Sequence, residues 1–319
     1  MTSIAAAAAE TCDSLYVSPG PGDVALSCAA RIVRDCAAGQ RVLVVSLFAG
    51  PGAGGQGAAR MAALDALGVE QAALGLPDAP ARATAETPGN AILRRRGPRD
   101  DDALHRAADV LTDLAHRTRA RQVYAPLAVG GHFDHRLAHE AARAAFSAAE
   151  GRNVFLYEER PEVFVPGALR VRLGQLGARL PPAAADAPGP RKLGAYVLRF
   201  HLGPRFRGTQ KGGWGRVRWA WTAWREWRTG RSWHPLRALG PRLQPVTYST
   251  EAGDLDRVRR LEGDWGRRVG RMADRYALKL AGSAHAERYW LLLPPRATDG
   301  LETLGAGADG VEGGASAPA

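Results

Sequence analysis

The chain has 319 residues, 45% hydrophobic and 24% charged, proportions that exclude a wholly disordered or collagen-like protein. No run of 18 or more apolar residues occurs, which excludes a membrane-spanning helix. The formal net charge of +11 is uneven: 13 basic residues face a single acid, Glu226, between Arg191 and Thr250, and the remainder is close to neutral.

In chain order, the first ten residues hold an alanine run with no basic segment before it, so no signal peptide is expected. Three cysteines, Cys12, Cys28 and Cys36, lack C-x-x-C spacing, which fits a reducing compartment and makes the cytoplasm the expected location. Short apolar runs predict buried strands at Leu15–Ser18, Val42–Phe48, Ala72–Leu76, Val123–Leu127 and Val154–Tyr157. Between them, helical patterns run over about Asp23–Ala38, Gln56–Leu67, Asp101–Arg119 and Arg136–Glu150. Alternation of nearly continuous apolar strands with helices predicts an α/β fold, a doubly wound and mostly parallel Rossmann-like sheet covered on both faces. Such sheets bind ligands at the carboxyl ends of their strands, beside the topological switch point. The loops after Val17, Phe48 and Leu127 are therefore the candidates for chemistry.

The pattern weakens after Pro161. Residues 1–12 are expected as a tail and 13–180 as the α/β domain. Residues 181–250 read as a Pro-rich linker and a basic, Trp-rich insertion. Residues 251–296 read as C-terminal helices, about Gly253–Ala281, with a final short strand at Leu291–Leu293, and 297–319 as a disordered tail. Within the insertion, Trp214–Thr229 is a helix candidate on which Trp214, Val217, Trp221 and Trp224 form one stripe among Arg216, Arg218, Arg225 and Arg228. Tryptophan with arginine suits an anionic membrane surface, with Trp214, Trp221, Trp224, Arg218 and Arg225 as the contacting residues. The same composition serves nucleic acid less well, and packing of the tryptophans on their own domain is the plain alternative.

Two loops carry candidate chemistry. The later one reads Tyr124-Ala-Pro-Leu-Ala-Val-Gly-Gly-His132-Phe133-Asp134-His135-Arg136. Two imidazoles and a carboxylate at the end of a sheet strand are donors suited to zinc, although Asp134 could equally cap the following helix. The first loop reads Tyr16-Val-Ser18-Pro19-Gly20-Pro21-Gly22-Asp23-Val24-Ala-Leu26-Ser27-Cys28. Together the two loops resemble those of the PIG-L/LmbE-like N-deacetylases, whose first loop reads Ser-Pro-His-x-Asp-Asp and whose later loop reads Gly-x-His-x-Asp-His. The segments Val44–Pro51, Leu76–Ala79, Tyr157–Pro161 and Glu287–Trp290 agree with the family as well.

The resemblance implies the family's doubly wound fold, zinc as cofactor, and amide hydrolysis on N-acetylglucosaminyl-type amino-sugar compounds or glycolipids. Position by position, it places metal ligands at Asp23 and His135. It makes His132 the residue that stabilises the tetrahedral intermediate and Asp134 the carboxylate supporting it. The family's first metal His falls on Gly20, its general base on Gly22, and a further acid on Ala59. His139, four residues beyond His135, is the nearest candidate for a substitute ligand, against the plainer reading of a helical histidine.

Three functions follow from these residues. The first is a family member with lost or strongly reduced hydrolysis that still binds an amino-sugar compound. The second is a working metal-dependent deacetylase with a rearranged site built on Asp23, His132 and His135. The third is a surface-binding module acting through the Trp/Arg segment, which would place the protein at the inner membrane face.

Overall fold

The computed structural model describes residues 11–49, 56–82, 96–146, 151–164, 168–178 and 242–294. The elements in order are β1 (Ser14–Ser18), α1 (Asp23–Ser27), α2 (Ala29–Ala37), β2 (Val42–Phe48), α3 (Gln56–Asp65), β3 (Glu70–Leu76) and α4 (Ala79–Arg82). They continue with α5 (Pro98–Thr118), β4 (Gln122–Pro126), α6 (Phe133–Ala145), β5 (Asn153–Tyr157), α7 (Ala168–Gln175), β6 (Arg242–Ser249), α8 (Leu255–Ala281) and β7 (Ala286–Leu293). The seven strands form one sheet in the order β3-β2-β1-β4-β5-β7-β6. Strands β1 to β5 are parallel, and β7 pairs antiparallel with both β5 and β6.

The doubly wound arrangement follows from the strand sequences. Every residue of Ser14–Ser18 and Val42–Phe48 is buried, so successive side chains enter opposite faces and both faces need cover. On one face Leu15, Val17, Leu43 and Val45 meet Leu111 and Leu114 of α5 and Leu137 and Ala141 of α6. On the other face Tyr16, Val42 and Val44 meet Val24, Ile32, Leu64 and Val258 from α1, α2, α3 and α8. The chain leaves β1 toward β2 in one direction and returns to β4 on the other side. The switch point therefore lies between β1 and β4, whose carboxyl ends carry Ser18 and Pro126.

The structure departs from the sequence reading in four places. The helix expected over Asp23–Ala38 breaks at Cys28 (φ −126°, ψ 22°). A new helix can start there because Glu287 of β7 accepts hydrogen bonds from the amides of Ala30 (2.7 Å) and Arg31 (3.1 Å), capping α2 from a distance of 257 residues along the chain. Helix α6 begins at Phe133 instead of Arg136, which places His135 on its first turn. Strand β6 lies within the stretch read as linker and insertion. Its half-exposed alternation and Pro245 suit the sheet edge it occupies. The strand expected at Leu291–Leu293 runs over Ala286–Leu293.

Helix α8 spans the two stretches expected near Gly253–Ala281 and is interrupted at Gly263 (φ 59°, ψ −147°). Among the described residues no helix is long and apolar enough to cross a membrane. The Trp214–Thr229 helix candidate and the 1–10 and 297–319 segments lie outside the described residues.

Candidate active site at the switch point

The first loop is braced by its own serine. Ser18 Oγ donates to the carbonyl of Gly20 (2.6 Å) and accepts from the amide of Val24 (3.3 Å), closing the turn that leads into α1. The amide of Gly20 donates to Asp23 Oδ2 (2.8 Å), which holds the carboxylate at the mouth of the loop, its side chain 32% exposed. The two glycines of this loop are not equivalent. A Cβ on Gly20 would meet the flexible carboxylate end of Asp23, with Oδ2 at 3.1 Å. Gly22 has a φ of +80°, and a Cβ there would lie 2.8 Å from Cβ and 3.1 Å from Cδ of Arg60. Position 22 therefore requires glycine on both backbone and packing grounds.

The later loop turns through left-handed conformations at Ala128 (φ 65°), Gly130 (φ 84°) and Gly131 (φ 74°). Two amides of this turn, Ala128 (2.5 Å) and Val129 (2.8 Å), donate to the buried carboxylate of Glu159. Glu159 in turn lies 3.6 Å from His135 Nδ1, while His135 Nε2 lies 3.6 Å from Asp23 Oδ2. His135 thus stands between two carboxylates, one fixed by the loop it follows and one from the opposite loop. Burial opposes a charge on His135, but these carboxylates outweigh it and hold its pKa up at about 9.

His132 behaves in the opposite way. Burial, reinforced by the neighbouring His135, pushes its pKa down to about 4. Its Nδ1 accepts from the amide of Asp134 (3.3 Å), so the neutral ring carries its proton on Nε2. The two rings are 5.2 Å apart between centroids. Asp134 does not support His132 through its carboxylate. That group accepts from Arg82 (2.6 Å) and from the amide of Ala79 (3.0 Å), and Arg82 also binds Asp100 (2.8 Å). This buried Asp134–Arg82–Asp100 group anchors the loop to α4 and α5, so Asp134 acts through the backbone it positions.

Three further residues belong to the site and were not singled out by the sequence. Glu159 sits in the Tyr157–Pro161 segment but gives no local sign of its partner loop. Arg60 follows Ala59 on α3, and only its position after the second strand hints at the site. Glu162 lies on the turn Glu162–Phe164. Burial raises its pKa to about 7 against the pull of His135, and its Oε2 is buried without a hydrogen-bond partner among the described residues. His139 is buried instead of facing the site: its Nδ1 lies 2.8 Å from the carbonyl of Pro126.

A catalytic zinc ion takes three protein ligands and a water. Asp23 and His135 face each other as two donors, Gly20 supplies none, and His132 Nδ1 is engaged by an amide. Among the described residues no group of three or more His, Cys, Asp or Glu side chains is placed to hold a metal ion. The described residues do not fit a zinc site of that kind.

Comparison with known proteins agrees with this architecture. Residues 15–146 match the family model of PIG-L, described as GlcNAc-PI de-N-acetylase. No curated protein sequence matches the chain significantly. Among solved structures, a deacetylase–bog complex from the teicoplanin biosynthesis pathway superposes with a TM-score of 0.55 at 17% identity, covering 89% of this chain and 99% of that one. A zinc-inhibited form of teicoplanin deacetylase gives 0.53 at 17% identity, with 89% and 99% covered. The A40926 pseudoaglycone deacetylase gives 0.53 at 16% identity, with 89% and 98% covered. At these identities the likeness concerns the fold. The likeness to the PIG-L family model thus covers residues 15–146, the stretch that holds both switch-point loops.

Proposed function

We propose that this protein binds N-acetyl amino-sugar compounds at the switch-point loops, with hydrolysis of the acetamide lost or strongly reduced. One observation carries the reading. The resemblance puts the family's first metal ligand and its general base at Gly20 and Gly22, and the space beside Gly22 is filled by Arg60. Zinc, where a site holds it, lowers the pKa of a bound water to about 7, and two facing donors do not support that chemistry. Loss of a positioned base alone costs a factor of about 10² to 10⁴.

The remaining groups serve recognition. Neutral His132 offers Nε2–H to a carbonyl oxygen such as that of an acetamide. The partly exposed Asp23 carboxylate accepts sugar hydroxyls. Glu159 orients His135, and Asp134 with Arg82 fixes the loop that presents both histidines. Amino-sugar compounds are proposed as ligands because the matching family and the structural relatives carry names of deacetylases, of GlcNAc-PI and in teicoplanin biosynthesis. A cytoplasmic location belongs to the same proposal. So does contact with an anionic glycolipid surface through Trp214, Trp221, Trp224, Arg218 and Arg225, which rests on sequence alone.

A second reading draws on Glu162. A carboxyl group of raised proton affinity with an unpartnered oxygen is the kind of group that serves as a general base, and it supports an active deacetylase with a rearranged site. Amine release from N-acetylglucosamine derivatives, followed with fluorescamine at micromolar zinc, separates the two. The proposal expects binding by calorimetry with no release above background. Release that disappears in both His135→Ala and Glu162→Gln would establish the second reading.

A further inference from the structure

Away from the switch point, helix α8 bends sharply at Gly263. Its backbone there (φ 59°, ψ −147°) is one that essentially only glycine adopts, and the space where a Cβ would stand is open. The bend lines a cavity of about 700 Å³ with Asp256, Arg259 and Arg260 of the first limb, Asp274 of the second, and Glu262 and His285. On a straight helix Asp256 and Asp274 would stand about 27 Å apart, so the bend is what brings both to one cavity. Floor and walls differ. Glu262 and His285 are buried and engaged: Glu262 Oε1 lies 3.0 Å from Arg160 and 2.9 Å from His285 Nε2, and His285 Nδ1 lies 2.9 Å from Thr250 Oγ1. Among the described residues, the side chains of Asp256, Arg259, Arg260 and Asp274 make no hydrogen bond and no ion pair. Asp256 nevertheless precedes Arg259 by three and Arg260 by four residues, the spacing at which such pairs form on a helix. Arg257 of the same turn does reach Asp254, at 3.6 Å.

We infer that the α8 elbow is a second ligand site, separate from the switch point, for a small phosphorylated amine: the phosphate meets Arg259 and Arg260, and the protonated amine meets Asp256 and Asp274. A ligand of one sign would pair with one set of side chains and face the other as like charge, whereas a zwitterion pairs with both. Two guanidinium groups match the several acceptor oxygens of a phosphate, where a carboxylate occupies a single fork. The volume suits a ligand larger than an amino acid, on the scale of a phosphorylated amino sugar. The buried contacts of Glu262 with Arg160 and His285 hold the floor in shape before a ligand arrives. The inference does not depend on the reading of the switch-point loops.

Isothermal titration calorimetry of the full chain with glucosamine 6-phosphate tests the site. N-acetylglucosamine 6-phosphate serves as the phosphate without the charged amine, and glucosamine as the amine without the phosphate. Glucosamine 6-phosphate is expected to bind, and each of the other two to bind weaker by roughly tenfold or more. Arg259→Gln combined with Arg260→Gln should weaken glucosamine 6-phosphate by a similar factor, and so should Asp256→Asn combined with Asp274→Asn. Melting temperatures should stay unchanged in both pairs, because all four side chains are exposed. Absence of binding overturns the inference, as does equal affinity for either of the other two compounds. Binding that survives both pairs of substitutions and is lost in Asp23→Asn belongs to the switch point, and it overturns the inference while leaving the proposed function standing.

Discussion

Arg60 and Gly22 share one space: the arginine's Cβ stands 2.8 Å from where a Cβ at position 22 would be. The relationship makes the two glycines of the first loop chemically different, and their substitutions should differ accordingly. Gly22→Asp combines a positive φ with overpacking against a helix, so it should destabilise by about 1–3 kcal/mol. Gly20→His meets only the movable end of Asp23 and should stay within about 0.5 kcal/mol of the unaltered protein. Urea denaturation followed by tryptophan fluorescence checks both values, and equal destabilisation would contradict the steric account. Because the nearest contact at position 22 is a Cβ, relief of Gly22→Asp requires Arg60→Gly; Arg60→Ala would leave the obstruction in place.

Glu159 holds the histidine loop through the amides of Ala128 and Val129. Glu159→Ala leaves both buried donors unsatisfied, at about 1–3 kcal/mol each. The variant should unfold at clearly lower urea, and loop amides at 127–131 should lose hydrogen-exchange protection ahead of β4. Unchanged protection in that loop would show that Glu159 does not hold it.

The C-terminal helix is joined to the sheet by a buried charge cluster. Glu262 Oε1 lies 3.0 Å from Arg160 and 2.9 Å from His285. Burial alone would raise its pKa, but His285 and Arg160 outweigh burial and hold it below the usual carboxylate value. A depressed folded-state pKa contributes stability that is present above the unfolded value, about 4.5, and is lost as pH falls through the folded value. Glu262→Gln should therefore cost stability at pH 7 and flatten the decline below pH 5. A variant whose acid-side slope equals that of the unaltered protein would remove Glu262 from that role.

Remote capping by Glu287 accounts for the break between α1 and α2. Glu287→Ala removes the acceptor from the amides of Ala30 and Arg31 and from Tyr289 Oη (2.6 Å). A loss of about 1–3 kcal/mol is expected from the buried donors left behind, measured by chemical denaturation. A neutral substitution would mean that water satisfies the amides.

Much of this molecule was legible in sequence for simple reasons. Val42–Phe48 is apolar throughout because helices cover both faces of its strand, and such runs announce a parallel sheet. His132, Asp134 and His135 stood out because polar, chemistry-bearing side chains cluster where a strand ends. What stayed hidden depends on contacts made across long separations. The partner of Asp134 is Arg82, 52 residues away, and nothing near Asp134 tells whether its carboxylate faces His132 or turns from it. Arg60 looks like any helical arginine until Gly22 is seen beneath it. Strand β6 was masked by Pro245 and an alternating, half-exposed pattern that only an edge position explains.

The central claim is that the donor set at the switch point does not hold zinc. Elemental analysis of protein purified without a metal-binding tag and dialysed against micromolar zinc tests it most directly. The account predicts zinc at background in the unaltered protein and a clear rise in Gly20→His, where a third donor faces Asp23 and His135. About one zinc per chain in the unaltered protein, lost in His135→Ala, would contradict it.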